Sequence, residues 1–245
     1  EEAVRGPGDI AAYLELHVEQ GSVLDTDGID IGIVQGIVGI KWWNVTLEGS
    51  ANHAGTTPMD RRHDALLAAA RLITAVNEEV TGVPGRQVGT VGRIAAEPGA
   101  PNVIPGRVVL SLELRDLSME KIDALYEEIV GRARALEAES GVEITFTPLD
   151  VTATAALTDE RIRQLIEDSV EDLGLRHVHM PSGAGHDAQE IAGIAPVGMI
   201  FVPSVGGVSH APGELTRPGD MANGANVLLQ TILRIDRSGL KPPPD

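Results

Sequence analysis

The order of hydrophobic periodicities along this chain constrains its fold more than any single residue does. Between residues 41 and 152 the pattern reads strand, helix, strand, strand, helix, strand, and on both sides of that stretch it reads as alternating α/β units. This order predicts a split βαβ sandwich of the ferredoxin-like type interrupting a host α/β domain, with the host at 1–40 and 153–245 and the insert at 41–152. Within the insert, residues 42–48 are the first strand. Residues 61–80 form a helix with Leu66, Ala69, Ala70, Ile73 and Val76 turned inward, and 87–95 pairs with 106–116 as a long hairpin around a proline-stiffened loop. Along 106–116, Val108, Leu110, Leu112 and Leu114 share one face, so Ser111, Glu113 and Arg115 share the other. Ser118 caps a second helix whose inward positions are Ile122, Leu125, Ile129, Ala133 and Leu136, and the strand VEITFTPL closes the unit.

In the host domain, Leu14, Leu16 and Val18 alternate with Glu15, His17 and Glu19, the period of a strand. Residues 31–47 suggest strand, bend, strand, with the crossing between domains at the bend. After the insert, Thr158 or Asp159 caps a helix running to Gly174, followed by the loop PSGAGHDA, the apolar strand VGMIFVP, the loop SVGGVSHAPGE and a last helix over about 218–235.

Composition narrows the chemistry. With no cysteine, any bound metal must be held by imidazole and carboxylate, so the search falls on seven histidines and the acids. A formal net charge of −17 argues against nucleic-acid and anionic-membrane partners, which need a basic face. No apolar run approaches the roughly 18 residues of a bilayer span and the polar start is unlike a signal peptide, so a cytoplasmic location is expected. Phosphate-cradling and serine-hydrolase signatures are absent.

Four places have the residue types for catalysis or binding, each beside a plainer alternative. His17 ends its strand, where a side chain lines a crevice and could hold a metal; the alternative is a strand histidine paired with Glu15 or Glu19. His210 follows a strand in a loop where Gly206 and Gly207 allow close backbone approach and Glu214 is near enough to orient an imidazole, or the loop is only a turn. His53, crowded by Asn52, Thr56 and Thr57, could donate to a developing oxyanion, or it is solvated where Thr57 or Asp60 caps a helix. Arg115 could clamp a carboxylate, or pair with Glu113 or Asp116 on the surface. His186 and Asp187 could orient a backbone or a supporting group, whereas His63, His177 and His179 show no ligand spacing and read as surface or structural.

The segments ELHVEQG, IVQGIVGI, NHAGTTPMDRRHDAL, PNVIPG with LELRD, SGAGHDA and MIFVPSVGGVSHAPGE follow one another in an order that covers essentially the whole chain. That series resembles the N-carbamoyl-L-amino-acid hydrolase and allantoate amidohydrolase branch of the M20 metallopeptidase-like amidohydrolases. The resemblance implies a partial M20-type catalytic α/β domain interrupted by a ferredoxin-like lid and dimerisation domain. It matches His17 and His210 to ligands of a divalent metal pair (Zn, Mn, Co or Ni), supported by Glu19, His186, Asp187 and Glu214. It matches Gln20 to a substrate contact, alongside Gly206 and Gly207, His53 and Asn102 to groups that polarise the scissile carbonyl, and Arg115 to the grip on a small substrate's carboxylate. The implied reaction is metal-dependent hydrolysis of a carbamoyl or ureido C–N bond by a homodimer. Alternatives are an aminoacylase or peptidase of the same family, or a non-catalytic dimerisation fragment. One departure is large: no H-x-D occurs, and Glu78, Glu79, Glu127 and Glu128 fall on helices of the insert. The chain as given is therefore expected to lack the bridging Asp, one His, one Glu ligand and the base Glu, and to be inactive alone.

Overall fold

The computed structural model describes residues 4–150 and 153–240. It divides into two compact units, Glu1–Val38 with Ala155–Asp245 (the host unit) and Gly39–Thr154 (the inserted unit). The elements up to the insert are β1 (Tyr13–Val18), α1 (Val23–Asp27) and β2 (Ile31–Ile37). The inserted unit holds β3 (Gly39–Glu48), β4 (Asn52–His53), α2 (Ala65–Gly82), β5 (Val88–Thr90), β6 (Ile94–Glu97), β7 (Val103–Ile104), β8 (Arg107–Asp116), α3 (Met119–Ser140) and β9 (Glu143–Pro148). The host resumes with β10 (Ala156–Leu157), α4 (Glu160–Asp172), β11 (His177–Ser182), α5 (Asp187–Ile191), β12 (Val197–Val202) and α6 (Pro218–Ser238). No helix among the described residues is long and apolar enough to cross a membrane.

In the inserted unit the sheet order is β5-β8-β3-β9, with β6 also on β8 and every pairing antiparallel. The central strands are therefore the first and third of a βαββαβ chain, the ferredoxin-like arrangement. Alternation along β8 buries Val108, Leu110, Leu112 and Leu114 and leaves Ser111, Glu113 and Arg115 on the open face. These leucines meet Leu72 and Val76 of α2 and Ile122 and Ile129 of α3 in one core. Ser118 Oγ accepts the Lys121 N–H at 3.2 Å, starting α3 as its sequence suggests.

The first helix differs from expectation. Residues 59–61 form only a 3₁₀ turn, and Asp64 caps α2 by accepting the N–H groups of Leu66 and Leu67 at 3.0 and 3.1 Å. The buried face is Ala65, Ala68, Ala69, Leu72, Ala75, Val76 and Val80, while Leu66 is 38% exposed and Ala70 lies outside. The stretch ALLAAARLI is apolar at nearly every position, so periodicity leaves its phase open and the cap decides it. The strand expected at 87–95 is likewise two short ones, β5 and β6, parted at residues 91–93.

The host sheet runs β1-β12-β2-β11, and β10 pairs antiparallel with the end of β2. β1 lies parallel to β12, so the turns that follow both strands leave the same sheet edge. Leu14, Leu16 and Val18 pack with α4 and α6 residues on one face; Phe201, Met180 and Leu24 build the core of the other. β11 was not apparent in the sequence. It contains Pro181 at a register shift and, among the described residues, pairs with β2 alone, and an edge position tolerates the missing N–H.

Asp159, rather than Thr158, caps α4: its Oδ1 accepts the Arg161 N–H at 2.8 Å, while Thr158 is buried and donates to Val34 O at 2.7 Å. The Arg161 guanidinium, followed by backbone donors, holds the Asp159 carboxyl below its ordinary 3.8. A depressed folded pKa means the contribution is present above about 3.8 and is lost as pH falls through the lower folded value. Asp159→Ala should thus cost about 1 kcal/mol at pH 7, with parent and variant converging in strong acid. Urea melts at neutral and acid pH check both halves of that statement.

Candidate active site of the host unit

Strand parity on β1 turns Glu15 and His17 to one face, over Phe201. His186, from the turn before α5, meets them there: its ring centroid is 4.6 Å from that of His17, and its Nδ1 is 3.3 Å from Glu15 Oε1. One ligand atom from each of Glu15, His17 and His186 lies within 4.8 Å of the others. The three differ in availability. His17 Nδ1 is 2.8 Å from Val18 O and must donate to it, which leaves the Nε2 lone pair for a ligand. His186 is held at both nitrogens, by Glu15 and by Ser182 Oγ at 2.7 Å. Its pKa is lowered, first by burial and then by the field of His17, against the opposing pull of Glu15, so it is neutral at pH 7. Glu15 is further tied to the Ala188 N–H at 2.9 Å. His186 and Glu15 thus form a buried brace beside His17, and Asp187 adds negative charge at the start of α5. The sequence offers Glu15 only as a partner for His17; the structure places it against His186 and the Ala188 N–H.

The second histidine, His210, lines a cavity of about 380 Å³ together with Glu19, Gln20, Gly21, Phe201 and Ser209, among others. Gln20 and His210 are the only non-glycine residues with positive φ among the described residues, at 59° and 55°. Each such conformation costs on the order of 1–3 kcal/mol, and strain of this kind concentrates at functional sites. Two contacts hold the turns bearing them: the Gln20 N–H donates to buried Ser204 Oγ at 3.0 Å, and the Gly206 N–H donates to Asp25 Oδ2 at 2.8 Å. Gly207, at φ 68°, sits so close to Gly21 and Ser22 that a Cβ would fall 2.8 Å from Ser22 Cβ.

Several supporting roles read from the sequence come out differently. Glu214 accepts the His210 N–H at 3.0 Å and so shapes the loop, while Ser209 Oγ is the group 2.8 Å from the ring Nδ1. Glu19 accepts the N–H groups of Val23 and Leu24, both at 2.9 Å, and braces α1 rather than an imidazole. Gly206 and Gly207 spend their N–H groups on the protein, on Asp25 of α1 and on Ser204 O, so the close approach they permit is to the chain itself.

In the inserted unit, β4 and β7 form a two-stranded ribbon that places His53 opposite Val103, next to Asn102; the Ala54 N–H donates to Asn102 O at 2.9 Å. The exposed His53 ring accepts the Gly55 N–H on Nδ1 at 3.0 Å, so its proton sits on Nε2 and faces outward as a donor. Arg115 grips Glu113 with both arms of its fork, Nε to Oε1 at 2.8 Å and a terminal nitrogen to Oε2 at 2.9 Å. The surface pair weighed as the alternative is therefore formed.

Comparison with known proteins adds the family. Residues 2–234 match peptidase family M20/M25/M40, and the chain belongs to it. An N-carbamoyl-L-amino acid amidohydrolase of Geobacillus stearothermophilus is 44% identical over 96% of this chain and 57% of the relative. An allantoate amidohydrolase of Bacillus subtilis is 37% identical over 93% of this chain and 55% of the relative. A hydantoinase/carbamoylase family amidase from Burkholderia multivorans superposes with a TM-score of 0.88 at 35% identity, covering 91% of this chain and 54% of that one. The chain thus spans a little over half the length of the relatives it matches.

Proposed function

We propose that this chain serves hydrolysis of the carbamoyl or ureido C–N bond of a small carboxylate substrate, such as an N-carbamoyl-L-amino acid or allantoate. The observation that carries this reading is the pair of imidazoles His17 and His210, each with its Nδ1 engaged, in one unit with the strained Gln20. Their Nε2 atoms fit the imidazole-and-carboxylate ligation that a cysteine-free chain requires. When bound, a divalent pair supplies an acidified water and a Lewis acid for the carbonyl. Gln20 and the loop around His210 shape the pocket wall. His53 donates a hydrogen bond from its Nε2–H to the carbonyl oxygen as charge develops there, with Asn102 beside it. Arg115 exchanges Glu113 for the substrate carboxylate, keeping a bidentate partner throughout. Presentation of these inserted-unit residues by a second copy of the chain, in a homodimer, belongs to the same proposal.

The resemblance implies further ligands and a base Glu outside these 245 residues. Turnover of N-carbamoyl amino acids or allantoate is therefore expected from the longest polypeptide the gene encodes, and none from the 245-residue chain alone; failure of the longer polypeptide on every ureido substrate would refute the activity. In that polypeptide, Arg115→Lys should raise KM for the acid by a loss on the order of 1.5–3 kcal/mol, and barely change it for the matching uncharged amide. Glu113→Gln, which weakens the competing pair, should lower KM for the acid. Equal losses on acid and amide would mean that Arg115 is not the clamp.

A further inference from the structure

β11 carries its side chains alternately to the two faces of the host sheet. Val178 and Met180 join the core with Phe201, while His177 and His179 turn to the opposite side, toward α4. A sheet face covered by a helix is ordinarily apolar there. Here both imidazoles converge on one carboxylate oxygen: His177 Nε2 is 3.2 Å and His179 Nε2 is 3.3 Å from Glu167 Oε1. The three ligand atoms lie within 4.8 Å of one another. The side chains of Glu167, His177 and His179 are 26%, 21% and 35% exposed, so the cluster opens to solvent.

The spacing suits a shared ion as well as the hydrogen bond that His177 makes to Glu167 at 3.2 Å. Two ligands at about 2.05 Å from a tetrahedral zinc are separated by about 3.3 Å, which is the edge length found from each imidazole to the carboxylate oxygen. Two imidazoles and a carboxylate form a donor set suited to zinc and its late first-row neighbours rather than to magnesium or calcium. The two rings pack edge to face, centroids 6.0 Å apart, and each brings its Nε2 close to Glu167 Oε1.

We propose that His177, His179 and Glu167 form a transition-metal site of the zinc class, separate from the His17 and His210 pair and independent of the hydrolase reading. The bound ion clips the edge strand β11 to α4, with water as fourth ligand. Its role is structural: the ligands come from a helix and a strand that the ion would join, and neither histidine lines the cavity beside Gln20.

Calorimetric titration of the 245-residue chain with zinc chloride at pH 7.5 tests the site against three variants. His179→Asn and Glu167→Gln should each weaken this zinc event roughly 100-fold, since each removes one of three protein ligands. His17→Asn should leave it in place. Cobalt(II) at the same site should give the intense visible bands of tetrahedral coordination, lost in both ligand variants. Both replacements are close in shape and lie on different elements, and a far-UV circular dichroism spectrum matching the parent establishes that they fold. Unchanged zinc affinity and stoichiometry in folded His179→Asn and Glu167→Gln would overturn the proposal, as would a parent chain whose only zinc event disappears with His17→Asn.

Discussion

Gly207→Val is expected to destabilise the host unit by roughly 2–5 kcal/mol. About 1–2 kcal/mol of this comes from forcing a β-branched residue into the left-handed region, and about 1–3 kcal/mol from overlap. The geometry leaves little escape, because the φ of 68° is set by the loop and the new Cβ meets backbone, Ser22 N at 2.9 Å and Gly21 C at 3.0 Å, rather than a side chain that could swing away. The loop must therefore lift from the Gln20 turn and carry His210 with it. Both tryptophans, Trp42 and Trp43, lie in the inserted unit, so their fluorescence reports that unit, while far-UV circular dichroism reports both. The dichroism transition in urea should move to lower denaturant and the fluorescence transition should stay. A loss below about 1 kcal/mol would show that the loop yields cheaply and that Gly207 does not set the separation of the two turns.

His53→Ala should lower kcat of the longest polypeptide by about 10²–10³, the cost of losing one prepositioned oxyanion donor, with KM nearly unchanged. The donor is set before substrate arrives. Gly55 N–H occupies Nδ1 at 3.0 Å, and the ring's exposure means its removal opens no cavity, so thermal stability should hold. His53→Gln, which keeps a donor at similar reach, should recover part of the rate. A fall of less than about threefold in the alanine variant would remove His53 from the chemistry.

The legible parts of this fold were those where one signal left a single solution. Alternation along β8 fixes which face Arg115 shares with Glu113, and Ser118 with Ile122, Leu125 and Ile129 fixes the phase of α3. Where composition was uniform, as in the alanine-rich α2, two phases fit equally and Asp64 chose between them. β11 escaped because histidine and proline are poor strand signals and an edge strand needs few good ones. The site was legible as a set of histidines but not in its wiring. Carboxylates near a histidine in sequence, Glu19 and Glu214, bind backbone N–H groups, whereas the imidazole brace uses Glu15 across 171 positions from His186. Such pairings depend on how the chain returns to the sheet, and local spacing carries no record of that return.

The short bridge at the root of the inserted unit bears on how this chain assembles. Ile40 N–H donates to Ala153 O at 2.8 Å, and Ala153 N–H donates back to Ile40 O at 3.2 Å. The host unit is discontinuous, so its β1 and β12 must find each other across an excursion of more than a hundred residues. Once the inserted unit has closed its own sheet and tied its two ends, that excursion behaves as a short link. The entropic handicap of closing the host sheet then falls by about 1 kcal/mol, from the logarithmic dependence on loop length. Such closure favours an insert that forms before the split host, whose strands then meet across a shorter loop.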